Sequence, residues 1–167
     1  MTPSEDEAVQ RYFELHDIIK EAVRTDDYRH AVTLAKEAVS LIPHLVRNTK
    51  RQFGQFDIVE SVAVENGGRL LAALGDAGGL RTMHETLTAV PETHQWASAI
   101  KGFIHDAEVG DQILEMVRRQ PGVLQTTLRS SLPGVDSARV TELCYWLARV
   151  GRLKRTKRGR SYALLPT

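Results

Sequence analysis

The chain has 167 residues, of which 42% are hydrophobic and 26% charged, ordinary globular proportions that exclude disorder as its main state. A single cysteine, Cys144, excludes an internal disulfide framework and any multi-cysteine zinc site. The formal charge of +1 conceals a segregation: residues 1–107 hold 11 Lys+Arg against 16 Asp+Glu, net −5, and residues 108–167 hold 11 against 5, net +6, so only the second part suits a polyanion.

The start, Met1-Thr2-Pro3-Ser4-Glu5-Asp6-Glu7, is acidic where a secretory segment would be basic. No apolar run approaches the roughly 18 residues of a membrane span. A cytoplasmic protein with no membrane partner is expected. From Ser4 an N-cap and an acidic first turn lead into Val9, Tyr12, Phe13, Leu15, Ile18, Ile19 and Val23, an apolar stripe at helical spacing. Thr25-Asp26-Asp27 interrupts it, and Tyr28, Ala31, Val32, Leu34, Ala35, Ala38, Val39 and Ile42 continue a second stripe to Pro43, predicting an antiparallel helix pair. Further helix is predicted over residues 45–53, stopped by Gly54, and again through Ile58, Val59, Val62, Leu70, Leu71 and Leu74. Gly67-Gly68 predicts a kink and Gly78-Gly79 a loop. Beyond the stretch of Leu80, Met83, Leu87, Val90 and Pro91, a last helix with Trp96, Ile100, Phe103 and Ile104 closes the first domain or links it to the second near residue 107.

The spacing Asp27-Tyr28-x-x-Ala31-x-x-x-Ala35-x-x-Ala38-x-x-x-x-Pro43 resembles the second helix of a tetratricopeptide repeat, in which small residues let paired helices approach. The resemblance covers one unit and implies a repeat-like domain over residues 1–107, given to partner binding or to homodimer formation.

In residues 108–167, a helix beginning near Asp111 with Ile113, Leu114, Met116 and Val117 ends at Pro121-Gly122. A short helix with Val123, Leu124, Leu128 and Leu132 ends at Pro133-Gly134. Asp136 or Ser137 caps a third, in which Val140, Leu143, Cys144, Leu147 and Val150 form the buried stripe. After Gly151 the period becomes two, with Leu153, Tyr162 and Leu164 flanking the turn Lys157-Arg158-Gly159-Arg160 as in a β-hairpin. Three helices and a basic hairpin in this order resemble the winged helix-turn-helix domain of bacterial transcription regulators. The resemblance implies a mostly α protein with a small β-hairpin wing that binds duplex DNA sequence-specifically as a transcriptional regulator, the third helix in the major groove and the wing on the backbone or minor groove.

At about 100° per residue, Ala138, Thr141, Glu142, Tyr145 and Arg149 lie opposite the buried stripe. Ser137, Thr141, Glu142 and Tyr145 are therefore the candidate readers of bases, with Arg149 on phosphate. Residues 149–160 add Arg152, Lys154, Arg155, Lys157, Arg158 and Arg160 without an acidic side chain, which implies phosphate contact; shielding of an edge strand is the plainer use of such charge.

His16, His30, His44, His84, His94 and His105 form no close ligand pair, and no phosphate-loop, dinucleotide or nucleophile-elbow string is present. No active site, cofactor or metal is expected. Cys144 reads as a core residue, and Tyr12, Phe13, Trp96 and Phe103 as core aromatics. The alternative is an interaction scaffold, since helical repeats before a winged helix are also similar to the PCI-type subunits of large complexes, where the wing contacts protein.

Overall fold

The computed structural model describes residues 4–52 and 62–167. Ser4 opens α1 (Glu5–Arg24) with a reciprocal cap, its hydroxyl accepting from the Glu7 N–H while the Glu7 carboxylate accepts from the Ser4 N–H. The turn to α2 (Tyr28–Gln52) passes through Asp26, whose φ of 61° lies in the left-handed region that aspartate tolerates better than most side chains. Ala31, Ala35 and Ala38 are fully buried on α2, and α1 lies along α2 as the expected antiparallel pair. Tyr12, Leu15 and Ile19 face inward from α1, whereas Phe13 is 48% exposed and does not join the core.

Pro43 does not stop α2; the helix runs on to Gln52. Proline removes one backbone hydrogen bond there, and burial of Ile42, Leu45 and Val46 around it offsets the loss. Phe53, Gly54, Ile58 and Val59 lie outside the described residues. Then α3 (Val62–Leu74) passes straight through Gly67 and Gly68 without the expected break. A Cβ on Gly67 would stand 2.5 Å from Ala35 Cβ, and one on Gly68 2.3 Å from the Phe103 ring, so the pair marks close approach to α2 and to the fifth helix. Gly78 and Gly79 likewise sit in the first turn of α4 (Ala77–Thr88), where the Gly79 N–H donates to the capping Asp76 carboxylate at 2.8 Å.

After a short 3-10 turn (Pro91–Thr93) comes α5 (His94–Arg119), and it corrects the expected helix start at Asp111: one 26-residue helix, about 39 Å long, crosses residue 107 unbroken. Two hydrophobic clusters share it. Trp96, Ile100, Phe103 and Ala107 belong to the first, with α1 to α4; Val109, Ile113, Leu114 and Val117 belong to the second, with all the elements that follow. Val123 and Leu124 are not helical as expected but form β1 (Val123–Leu124), which leads into α6 (Gln125–Ser131) and α7 (Ser137–Arg149). The hairpin is β2 (Leu153–Arg158) and β3 (Ser161–Pro166), antiparallel, with β1 on the other edge of β3. Gly159, φ 62°, takes the first central position of its two-residue turn, as a type II′ turn requires. The described chain is thus mostly helical with a small three-stranded sheet near its end.

Candidate nucleic-acid interface

Val140, Leu143, Cys144 and Leu147 seat α7 in the second cluster, as the stripe predicts. A second flank of α7 also rests on protein: Trp146 and Val150 pack against the first cluster, and α7 meets α3 and, through Tyr28, the start of α2 there. What remains open is a strip of Ser137, Ala138 and Tyr145, exposed, with Thr141 half-buried between them.

This second seat reassigns two of the expected base and phosphate contacts. Glu142 turns to α3 and lies 3.1 Å from Arg69 and 2.9 Å from Arg139. Arg149 donates to Asp26 in the α1–α2 turn and, at 2.9 Å, to the Tyr145 hydroxyl, with Tyr28 and Trp146 rings within 5.6 Å of its guanidinium. The carboxylate and phenol hold Arg149 above its ordinary pKa, and hydrogen bonds from Tyr28 and Arg149 hold Asp26 below the usual carboxylate range. Arg152 is also internal: it donates to the Ala73 carbonyl at 3.1 Å and to Asp111 at 3.2 Å. Sequence periodicity gives the angle of Glu142 and Arg149 around α7 but not which arc a distant helix will cover, and Arg152 stands beyond the end of α7 in a run of cations, so all three read as free in the sequence.

Most of the other expected residues are open, with Thr141 and Arg155 half-buried. Lys154, Lys157, Arg158 and Arg160 are exposed and none has a carboxylate partner among the described residues; Lys157 only lies over the Tyr162 ring, at 5.5 Å. Arg155 stacks on Tyr162 at 3.9 Å and approaches the Tyr145 ring at 5.9 Å. Lys154, Arg155 and Tyr162 face Tyr145, Ala148 and Arg149 across an open groove between hairpin and helix. Ser137 accepts at its carbonyl from the Thr141 hydroxyl, 2.9 Å. Arg129, missed in the sequence because it lies on the short α6, donates to Thr141 Oγ1 at 2.6 Å.

Comparison with protein-family models, curated proteins and solved structures returns no match. The functional reading therefore rests on where the charges go.

Three of the eleven cations in residues 108–167 reach back along or across the chain: Arg139 to buried Asp106, Arg149 to Asp26 and Arg152 to Asp111. Arg118 and Arg119 share Glu115. The remaining six, Arg129, Lys154, Arg155, Lys157, Arg158 and Arg160, have no carboxylate partner among the described residues and lie on α6 and the hairpin, the elements bordering the open strip of α7. Among the described residues no group of three or more His, Cys, Asp or Glu side chains could hold a metal ion, and no helix is long and apolar enough to cross a membrane. Cys144 is fully buried, which pushes its thiol up to about 11.

Proposed function

We propose that residues 108–167 act as a winged helix that binds duplex DNA in transcriptional regulation, with the hairpin as its wing and no catalytic step. The observation that carries this reading is the set of six cations without a carboxylate partner around the open strip of α7; like charges this close repel one another until an anion answers them. Ser137, Thr141 and Tyr145 are the side chains left to face base edges, and Lys154, Lys157, Arg158 and Arg160 neutralise phosphate. With Glu142 and Arg149 held internally, backbone contact outweighs base reading, so the protein discriminates modestly between sequences. The helical layer of residues 1–107 serves self-association, which would double the contacts on a two-fold site.

The reading as a scaffold draws on the seat α7 already takes on the helical layer, but that contact is internal and leaves the six cations unanswered. Titration of the full chain with random-sequence duplex across a salt series tests the choice. About five neutralised phosphates give a log-log slope near −4 to −5, and replacing Lys157, Arg158 and Arg160 with alanine should flatten it by about one unit for each phosphate left without its cation. Salt-independent binding, or none, would refute the assignment.

A further inference from the structure

Two of the six cations are held differently from the rest. Arg129 reaches from α6 to Thr141, and Arg155 of β2, stacked on Tyr162, approaches the ring of Tyr145 at 5.9 Å. Thr141 and Tyr145 are four residues apart on α7 and so stand one turn apart on one face, which brings the two guanidiniums over the same stretch of the open strip. Each is half-buried, and each keeps a buried Nε without an acceptor. Arg139, Arg149 and Arg152 of the same module all have a carboxylate. A cation drawn partly out of water without a counter-charge is costly unless something supplies that charge.

We propose that Arg129 and Arg155, one beside Thr141 and the other beside Tyr145, form a binding site for one phosphate group. The two planar forks come from different elements, α6 and the sheet, and so can approach the non-bridging oxygens of one tetrahedral phosphate from different sides, where a single planar carboxylate would satisfy only one. The proposal rests on the DNA-binding reading for its favoured source, a backbone phosphodiester; a free phosphate would offer the same kind of anionic oxygen.

The test uses the full chain, its Arg129→Gln and Arg155→Gln variants and the double variant, in two arms. In the first, random-sequence duplex is titrated across a salt series. Because both arginines grip one phosphate, the double variant should lose about five-fold in affinity at physiological salt, with a slope shallower by about 0.9, and either single variant should lose nearly as much. In the second, inorganic phosphate replaces chloride at equal ionic strength and the thermal unfolding midpoint is read. General salt exclusion raises all variants alike, so the excess rise of the unsubstituted protein over the double variant reports the site. Should the glutamine variants fail to fold, Arg129→Lys with Arg155→Lys keeps the charge while removing both forks, and should still lose the excess rise.

Unchanged duplex binding together with an unchanged phosphate response in the double variant overturns the site while leaving DNA binding intact. Absence of duplex binding by the unsubstituted protein, with the phosphate response lost in the double variant, assigns the site to a free phosphate and overturns the DNA reading. No response in either arm overturns both.

Discussion

Arg139→Met removes the ion pair that ties α7 to α5, together with the 2.9 Å contact to Glu142, which keeps Arg69 as its partner. Arg139 Nε donates to Asp106 at 2.8 Å and a second guanidinium nitrogen donates to its other oxygen; Asp106 is 5% exposed and is one of the few buried polar side chains. Methionine keeps the aliphatic bulk beside Phe103, over whose ring the guanidinium lies at 5.8 Å, and leaves the carboxylate buried without its cation. Stranding a buried charge costs about 3–5 kcal/mol, and because the side chain of Arg139 is 34% exposed, water can partly replace it, placing the loss near the lower end, about 3 kcal/mol. For a chain of this length that is a fall in Tm of about 6–12 °C. Urea and thermal unfolding of Arg139→Met, Asp106→Leu and the double variant give the cycle, in which the double variant should recover most of the loss because no charge remains to be stranded. A single variant that loses under about 1 kcal/mol, or a double variant no more stable than Arg139→Met, would refute the account of this pair as the tie between the helices.

Three further outcomes follow from particular contacts. Cys144 should resist thiol reagents at pH 8 in the folded protein and react at once in denaturant, because burial keeps it protonated up to about 11; rapid labelling of the folded chain contradicts its burial. Gly68→Ala should destabilise by about 2 kcal/mol or more in chemical denaturation, since the new methyl would stand 2.3 Å from the Phe103 ring, and an unchanged midpoint would show that ring to be movable. Asp76 is held below the ordinary 3.8 by the hydrogen bond from Lys36 and then by the Gly79 N–H; its contribution is therefore fully present above about pH 4 and is lost as pH falls through its lowered value. Asp76→Asn should flatten the acid limb of a stability-against-pH curve, and an identical limb would exclude Asp76 as a source of it.

Elements whose signal lies within a few residues were legible in the sequence. The cap at Ser4, the stripe of α7 and the alternation around Gly159 all appear where local pattern places them. The failures involve a second partner. Pro43 and the Gly67-Gly68 pair read as interruptions because their local cost is visible and the packing that outweighs it is not. Residues 94–119 contain no proline, yet read as two helices because the buried face changes as α5 leaves one cluster for the other. β1 is too short, at two residues, to alternate. The open cations of the hairpin were legible as a run, whereas Glu142, Arg149 and Arg152 were withdrawn by partners far along the chain, and Arg129 was brought in the same way.

The continuity of α5 fixes a length as well as a direction. One residue inserted near position 108 would turn everything after it by about 100° and shift it about 1.5 Å along the axis, parting Arg139 from Asp106, Arg149 from Asp26 and Arg152 from the Ala73 carbonyl at once. An insertion of seven residues nearly restores the phase but moves the partners about 10 Å apart. Substitutions on the outer face of this helix should thus be tolerated where any change of spacing is not, and a chimaera that joins this C-terminal module to another helical domain has to carry the register of α5 with it.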